Sequence, residues 1–495
     1  MKINVFIQLI LIGSGISIHI LRPLVAKSQN SWSTQLPGVG TFSSPRVADL
    51  NKDGIGDIIL GSGREEFQSC DSAIIALDGK TGELLWKVAA IDQIFGSASL
   101  KDITGDGIPD VFITGRSAEL KAINGKTGEV IWSFVDVHKP KKGKKREWFN
   151  FYNPQFVPDQ DGDGFQDILV SNGGDVMKEP YDPDRPTGNL VVLHSKNGNI
   201  IAKAPMPDGK EIYMSISAVG TDNQDDMKIV FGTGGETIGG NLYLTRLSDI
   251  MKNDVSNAIK LDSSATKGFI GPPAWIDING DKIPDIIANA VDGRLLAYDG
   301  LTFEKIWHTE MPGTEAYSSI SIGFFNRDSV PDFFVSYAQG TWPNLDWTKQ
   351  FMVNGFDGKI EFIDSLGFYQ TSTPVVADFT LDGVDDALVV VNYQVVDDLY
   401  RKWFYNMLVV IDFVTNEVID LGVNQNGHNL SSTPWIGDID GDHYMDIIYC
   451  HSTNARHTYA FDGMQVNRIA TSIPIQKPIK WGAYMGSDYD GVYKE

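Results

Sequence analysis

Acidic side chains recur in short loops of one design along this 495-residue chain. The first copy, Asp-Leu-Asn-Lys-Asp-Gly-Ile-Gly-Asp at 49–57, has oxygen-bearing side chains at positions one, three, five and nine and a glycine at position six. Oxygen ligands on so short a loop suit a hard cation that takes about six to eight of them, and Ca²⁺ fits best. Leu60 stands where an EF-hand would need a glutamate, so the loop is of another type.

The same loop occurs five more times with its ligand positions intact, which predicts a repeat protein that binds several structural calcium ions. In two further copies the pattern is incomplete, because Phe324 replaces the first ligand in one and Lys228 replaces the closing aspartate in the other. The eight copies begin at residues 49, 102, 159, 222, 277, 324, 378 and 438. The candidate calcium ligands of the six intact loops are Asp49, Asn51, Asp53 and Asp57; Asp102, Thr104, Asp106 and Asp110; Asp159, Asp161, Asp163 and Asp167; Asp277, Asn279, Asp281 and Asp285; Asp378, Thr380, Asp382 and Asp386; and Asp438, Asp440, Asp442 and Asp446.

A second signature follows each loop. Asp-Gly-Lys-Thr-Gly-Glu-Leu-Leu-Trp at 78–86 and Asn-Gly-Lys-Thr-Gly-Glu-Val-Ile-Trp at 124–132 set a Gly-rich turn between two apolar runs, which is typical of a β-hairpin. A unit is then strand a, acidic loop, strand b, connector, strand c, turn and strand d. We therefore predict an all-β fold, an eight-bladed β-propeller of four-stranded antiparallel blades with the calcium loops in the a–b hairpins. A linear β-solenoid is the alternative, but two hairpins per unit favour blades.

The predicted propeller covers residues 29–473, with blades that start near 44, 97, 154, 217, 272, 319, 373 and 433, and a C-terminal tail follows at 474–495. Residues 1–28 have the pattern of a signal peptide: Lys2, an apolar run and a small-residue cleavage site. An uncleaved anchor is the alternative. No later stretch has the roughly 18 apolar residues of a membrane span. We expect an exported protein without an integral span after signal removal, outside the cell, on its surface or in a periplasm.

The sequence does not decide which segment closes the ring. Residues 31–34 resemble a strand d that the chain start would donate to the last blade, but 466–473 could fill the same place. Cys70 and Cys450, the only cysteines, fall in blades one and eight, which a closed ring makes neighbours. We consider a disulfide between them, with two free thiols as the alternative.

The loops resemble the FG-GAP or VCBS-type calcium repeats of integrin-like propellers, and the Lys-Thr-Gly turns resemble the repeats of quinoprotein-type (PQQ-like) propellers. Together they cover nearly everything from Ser44 to about Ile473. The resemblance implies architecture and calcium, and says little about activity, because function resides in sites grafted on a fold.

The long insertions, at 63–72, 139–148, 174–187, 339–349 and 392–405, all fall on the face opposite the calcium loops. Loops that extend from one face of a rigid scaffold commonly carry recognition. The net charge of −23 argues against nucleic acid, although calcium would neutralise much of it. We expect a binding or scaffold module for a glycan or protein. The candidates for contact on this face are Trp148, Trp342, Trp347, Tyr400, Arg401 and Trp403.

Two enzyme classes are the alternatives. Some rhamnogalacturonan lyases resemble this chain in having eight blades and calcium loops, and such a lyase needs a base and a cation beside the uronate. A quinone-dependent dehydrogenase is less favoured, since the vicinal cysteine pair of that family is missing. The side chains of suitable type for a lyase are Arg401, Lys402, His451, Arg456 and His457.

Overall fold

A computed structural model describes residues 30–139, 147–221, 226–457 and 459–494. Its strands form eight antiparallel sheets, each with four main strands in the order a, b, c, d, and two sheets carry one short extra strand. The predicted eight-bladed propeller is confirmed. The predicted signal peptide, most of the basic insertion (140–146) and part of the incomplete fourth loop (222–225) lie outside the described residues.

The strands are short because each crosses a blade once and ends at a loop. In chain order they are β1 (Trp32–Pro37); in blade one β2 (Arg46–Ala48), β3 (Asp57–Gly61), β4 (Cys70–Leu77) and β5 (Leu84–Ala90); in blade two β6 (Ser99–Lys101), β7 (Asp110–Thr114), β8 (Leu120–Ile123) and β9 (Val130–Ser133); in blade three β10 (Asn150–Phe151), β11 (Gln155–Val157), β12 (Asp167–Gly173), β13 (Asn189–Leu193) and β14 (Ile200–Pro205); in blade four β15 (Ser217–Gly220), β16 (Met227–Gly232), β17 (Gly240–Arg246) and β18 (Ile259–Ser264); in blade five β19 (Ala274–Ile276), β20 (Asp285–Ala290), β21 (Arg294–Tyr298) and β22 (Lys305–Glu310); in blade six β23 (Thr314–Glu315), β24 (Ser321–Gly323), β25 (Asp332–Thr341), β26 (Asn344–Val353) and β27 (Ile360–Phe368); in blade seven β28 (Val375–Ala377), β29 (Asp386–Val396), β30 (Lys402–Asp412) and β31 (Glu417–Asn426); and in blade eight β32 (Trp435–Gly437), β33 (Tyr444–Ser452) and β34 (Gly463–Pro474). Two single-turn helices, α1 (Phe134–Val137) and α2 (Leu247–Ile250), follow β9 and β17.

The chain start closes the ring. Strand β1 pairs antiparallel with β34, with Trp32 opposite Arg468, so β1 is the outermost strand of blade eight and β34 is its third strand. This pairing decides between the two closures that the sequence left open. It joins the two ends of the propeller in one sheet, so the ring does not depend on a covalent clasp.

A tryptophan on the outermost strand fastens several blades to the next blade. The Trp86 indole Nε1 donates to the Gly125 carbonyl at 2.7 Å, and its ring lies over Gly128, where an added Cβ would be 2.7 Å from the indole. Gly128 also has φ +73°, so this position favours glycine for two reasons. The same arrangement joins blades eight and one, two and three, and five and six through Trp32, Trp132 and Trp307.

In blades six and seven, much of the two predicted insertions is β-structure. Strands β25 and β26 pair as far as Thr341 opposite Asn344, and β29 and β30 pair as far as Val396 opposite Lys402. Runs such as Val-Val-Val-Asn-Tyr-Gln-Val-Val at 389–396 have high β-propensity, which explains why the hairpins extend. The insertions are therefore stiff projections on the connector face, the face opposite the acidic loops.

The C-terminal tail fills the central channel. It starts on the acidic-loop face, where β34 ends, and hydrogen-bonds the innermost strands along the channel: the Val376 and Ile436 amides donate to the carbonyls of Trp481 and Gly482 at 3.0 and 2.7 Å. It then turns and returns beside Trp275, whose amide donates to the Gly491 carbonyl at 2.8 Å. The tail is thus a hairpin plug, defined here as residues 475–494.

The plug is anchored by buried side chains. Trp481 is 1 % exposed, donates its Nε1 to the Ile320 carbonyl at 2.9 Å and stacks on Tyr493. From blade one, the buried Arg46 guanidinium lies 3.9 Å from the Tyr489 ring centroid and donates to the Tyr484 carbonyl. The plug therefore ties innermost strands of several blades together.

Cys70 and Cys450 are both buried and free in the structure, so the disulfide between them is not formed. Both belong to the apolar cluster that joins blades eight and one. Burial raises the pKa of the Cys450 thiol to about 12, which suits an inert core residue. Separately, none of the helices in the described ranges is long and apolar enough to cross a membrane.

Trp481→Ala should lower the free energy of unfolding by about 3–5 kcal/mol, because it empties a fully buried indole site and leaves the Ile320 carbonyl unpaired. Urea unfolding followed by fluorescence measures the change. Trp347→Ala, at a side chain that is 40 % exposed, is the control and should cost less than about 1 kcal/mol. Equal losses in the free energy of unfolding for the two variants would contradict a stabilising role of the plug.

Candidate functional site

The first aspartate of each intact loop organises the backbone around itself. Asp49 accepts the Lys52 amide on Oδ1 at 2.7 Å and the Gly54 amide on Oδ2 at 3.0 Å. The residue at position six has positive φ in every intact loop, including Lys282 at +69° and His443 at +67°. Lys282 and His443 thus take the left-handed conformation that glycine has at this position in the other four intact loops. Asp102, Asp159, Asp277, Asp378 and Asp438 accept amides in the same way.

The closing aspartate ties the loop to the c–d turn. Asp57 is fully buried and accepts the Leu50 amide on Oδ2 at 2.8 Å and the Gly79 amide on Oδ1 at 2.9 Å. Asp110 and Asp285 bridge loop and turn in the same way. Burial raises the pKa of Asp57 to about 6, although both hydrogen bonds lower it. A buried carboxylate of this kind would be stabilised in its charged form by a nearby cation.

Several loop oxygens are buried and without a hydrogen-bond partner. They are Asp167 Oδ1 in blade three, Asp386 Oδ1 and Thr380 Oγ1 in blade seven, and Asp440 Oδ1 in blade eight. In blade three, carboxylate oxygens of Asp159, Asp161 and Asp163 also lie within 4.8 Å of one another. Oxygen-only donor sets with unsatisfied lone pairs fit Ca²⁺.

The c–d turn contributes a neighbour that the sequence analysis missed. Asp78 begins the turn of blade one, and its Oδ2 accepts a hydrogen bond from the side-chain Nδ2 of Asn51 at 3.2 Å. Asp299 meets Asn279 in the same way at 3.0 Å. The sequence contains a sign of this neighbour, because the first residue of several c–d turns is Asp, Asn or His. Only the pairing of the two hairpins, however, brings that residue to the acidic loop.

In blade three the turn residue is His194, and the imidazole stands close to two candidate ligands. His194 Nε2 lies 3.3 Å from Asp161 Oδ2 and 3.4 Å from Asp163 Oδ2. Its Nδ1 accepts the Lys196 amide at 3.3 Å, which assigns the ring proton to Nε2. The imidazole therefore donates a hydrogen bond toward this acidic loop.

Blade eight supplies its own cation. The Arg468 guanidinium, whose side chain is 1 % exposed, contacts Asp440 Oδ2 at 2.5 Å and Asp446 Oδ1 at 3.0 Å. Its Nη1 also donates to the Gly79 carbonyl of blade one at 3.1 Å. Arg468 thus pairs with two of the four candidate ligands in this loop, offsets one of their negative charges and bridges the seam of the ring.

The connector face opens at the axis into a cavity of about 700 Å³, which we call the funnel. The plug closes it from below, since Tyr484, at the turn of the plug, lines it. Connectors of every blade contribute to the walls. One lining residue from each of blades one to eight is Glu66, Arg116, Tyr152, Tyr213, Pro272, Tyr317, Thr371 and Ser431.

Ion pairs hold the cationic residues of the funnel. Arg116 Nη2 lies 2.6 Å from Glu66 Oε1. Arg185 Nη1 lies 3.5 Å from Glu211 Oε2 and 3.3 Å from the Tyr213 hydroxyl, which itself donates to Glu211 at 3.1 Å. Burial raises the pKa of Glu211 to about 6, and Arg185 lowers it in part.

The predicted contact residues are arranged around the funnel, but none of them lines it. Trp148 packs on Phe134 with its ring centroid 5.0 Å away. Trp347 stacks on Phe368 at 4.6 Å. Trp342 contacts Tyr181 at the tip of the β25–β26 hairpin.

The blade-seven hairpin carries the other three candidates. Tyr400 is 90 % exposed. Arg401 pairs with Asp397 at 2.7 Å, and Trp403 Nε1 donates to the same carboxylate at 3.1 Å. Arg456 lies 4.6 Å from the Trp403 ring centroid.

The basic residues considered for a lyase are only partly brought together: Arg401 and Arg456 both lie against the Trp403 ring, away from the funnel. His451 is buried beneath the connector face, and burial lowers its pKa to about 4. Arg401 is paired with Asp397, and Arg456 packs on Trp403. None of the three lines the funnel.

A sequence model of the FAM234A/B beta-propeller matches residues 32–223. No curated protein sequence matches the chain. Among solved structures, a europium-containing methanol dehydrogenase superposes with a TM-score of 0.58 at 12 % identity, over 92 % of this chain and 95 % of that chain. The quinohemoprotein alcohol dehydrogenase from Comamonas testosteroni has a TM-score of 0.56 at 11 % identity, over 92 % and 78 %. A rhamnogalacturonan lyase from Bacillus licheniformis has a TM-score of 0.53 at 12 % identity, over 95 % and 81 %. At these identities the likeness shows the fold alone, an eight-bladed propeller.

Arg468→Met should lower the free energy of unfolding by about 3–5 kcal/mol in the presence of a chelator, since it leaves buried carboxylates without their cation. Arg401→Met is the matched control, because its ion pair is exposed, and should cost less than about 1 kcal/mol. Urea unfolding compares the two variants. A loss for Arg468→Met no larger than the control would refute its role at the seam.

Proposed function

We propose that this protein is an exported, calcium-stabilised propeller that binds a segment of a glycan or protein in the funnel. The observation that carries the proposal is the funnel itself, a blind cavity of about 700 Å³ on the axis, lined by connectors of every blade. Ligand sites are commonly concave, preformed and few per protein. The stiff hairpins of blades six and seven stand on the same face and would enlarge the contact surface.

The chemistry of the lining favours binding. Its arginines are held in ion pairs with Glu66 and Glu211. Neither a histidine nor a cysteine is among the described lining residues. Aromatic rings and fixed polar groups are instead the usual means of holding a ligand in place.

The calcium proposal rests on the loops. Among the described residues, no arginine pairs with the aspartates of the intact FG-GAP or VCBS-type loops in blades one, two, five and seven, in contrast to Arg468 in blade eight. The first aspartate of each of these loops already holds the backbone in a closed turn. Blade three keeps a buried, unpartnered Asp167 oxygen beside His194. The proposed ions are structural. Export would supply them, because calcium is plentiful outside cells.

Calcium should raise the free energy of unfolding by roughly 0.4–1.4 kcal/mol per occupied site at millimolar concentration, for dissociation constants of about 0.1–1 mM. Asp382→Asn, at position five of the blade-seven loop, should remove about one such increment. Asp442→Asn, at the same position in blade eight, is the matched control and should remove less, since Arg468 already occupies two carboxylates of that loop and offsets part of its charge. Thermal and urea unfolding with calcium or chelator measure the increments, and stability that does not respond to calcium would refute the proposal.

For the funnel, we expect the chain from Gln29 onward to be retained on at least one polymer of a panel of immobilised acidic, neutral and amino polysaccharides or peptides. Thr237→Trp places an indole on the funnel wall and should reduce retention at least about tenfold by excluding the ligand. Ser256→Trp, at an exposed position outside the funnel, should not.

Three results would count against this proposal. Retention that Thr237→Trp leaves unchanged would place the ligand elsewhere. Failure of every glycan and peptide to be retained would refute a binding module of this class. A rise in the ultraviolet absorbance of unsaturated sugar products would identify a lyase instead.

A further inference from the structure

We propose that the ligand group bound in the funnel is an organic ammonium, held by the carboxylate of Glu236 and by the rings of the surrounding tyrosines. This inference rests on the proposed function in taking the funnel as the ligand site. It adds the chemical class of the ligand, which a cavity alone does not define.

The walls of the funnel are aromatic. Tyr152 lies between Phe95 and Tyr213, with ring centroids 5.5 and 6.4 Å away. On the blade-six side, the Tyr317 ring is 6.1 Å from the Tyr369 ring. The negative faces of such rings attract a cation, and alkylammonium groups with a diffuse charge gain most because they lose little hydration. Phe42 and Tyr484 add two more rings to the lining.

Among the described residues of the funnel wall, two carboxylates are without an ion pair, Glu236 and Glu179, and of these Glu236 is half-buried while Glu179 is exposed. The cationic lining side chains already have anionic neighbours: Arg116 has Glu66, Arg185 has Glu211, and Lys178 has Asp182 and Asp184. Glu236 is half-buried and makes no ion pair or side-chain hydrogen bond within the described ranges. A ligand with a positive charge would pair with it, whereas a uronate would meet arginines that are already engaged.

The backbone fixes where Glu236 stands. Gly235 donates its amide to the Ile238 carbonyl at 2.9 Å and accepts the Gly268 amide at 2.7 Å, so this connector of blade four is tied at both sides. An added Cβ on Gly235 would lie 3.1 Å from the Tyr213 ring, which means that the connector rests against that ring. Glu236 is therefore carried beside the aromatic wall.

The charge of Glu236 acts on tyrosines of two sides of the funnel, Tyr213 and Tyr317. Burial, first, and then the charges of Glu211 and Glu236 raise the pKa of Tyr213. Burial and the nearby Glu315 raise the pKa of Tyr317, and Glu236 adds to this effect. Both phenols thus stay neutral, and a cation placed between them would relieve the repulsion between the carboxylates.

The test uses choline and its neutral isostere 3,3-dimethylbutan-1-ol as probes, titrated calorimetrically into the full mature chain in millimolar calcium. Choline should bind at one site and at least about tenfold more tightly than the alcohol, because only choline gains the cation–π and carboxylate attraction. Its affinity should fall as salt rises. Equal binding of the two probes, or no binding of choline, would overturn the inference.

Glu236→Gln should weaken choline binding by about tenfold or more while leaving calcium-dependent thermal stability unchanged, since the side chain is not part of a structural ion pair. Glu179→Gln is the matched control, because Glu179 lines the same funnel but is exposed, and should change the affinity less than about twofold. Unchanged affinity in Glu236→Gln would overturn the assignment to that carboxylate.

Two further arms identify the carrier of the ammonium group. A glucosamine trimer compared with its N-acetylated form tests an amino sugar, and a lysine peptide compared with its N-acetyl-lysine form tests a protein ligand. Preference for the amine form of either pair supports the inference. If neither amine is preferred but a polymer is still retained in a Thr237-dependent way, the inference fails and the proposed function survives. Loss of all retention would remove both.

Discussion

The contact on which the ring depends is the one between the outermost strand of a blade and the c–d turn of the next. Where it is complete, an indole on the strand donates to a turn carbonyl and lies flat on a turn glycine, as Trp86 does on Gly125 and Gly128. A side chain on that glycine would collide with the ring. Both ends of the Lys-Thr-Gly-x-x-x-Trp motif are therefore needed, but by neighbouring blades: the glycine receives the tryptophan of the previous blade. The last such contact, Trp32 on Gly79, joins the chain start to blade one.

Eight blades arranged in a ring leave a central channel, and in this protein the plug occupies it. The tail offers backbone groups to the innermost strands and places Trp481 and Arg46 in full burial. A consequence for function follows from the direction of insertion. Because the plug enters from the acidic-loop face and turns at about Tyr484, it closes the channel beneath the cavity that the connectors line.

Two ways of handling buried negative charge coexist in the same repeat. Most intact loops present oxygens that a hard cation would satisfy, and the proposed calcium ions belong there. In blade eight the Arg468 guanidinium takes this place, and in blade three the His194 imidazole donates to two of the carboxylates. Of the two, Arg468 is a fixed cation, and its charge does not depend on the calcium concentration. Arg468 also donates to the Gly79 carbonyl of blade one, so it helps to hold the first and last blades together.

What the sequence alone determined is local. The loop spacing and the Gly-rich turns predicted the number of blades and the position of the acidic loops in the a–b hairpins, because each depends on neighbours a few residues away. The sequence also placed the insertions on one face, since the order of strands decides that. The predicted contact residues, chosen from long insertions, lie on the periphery of that face.

The tertiary structure decided everything that joins distant parts of the chain. It selected β1 over 466–473 as the closing strand, placed the tail in the channel, left Cys70 and Cys450 as free thiols, and brought Arg468 to the blade-eight loop. It also assembled the funnel from single residues such as Tyr152, Tyr213 and Tyr317 on short connectors. No periodicity marks such residues, because their proximity arises only when eight blades close around one axis.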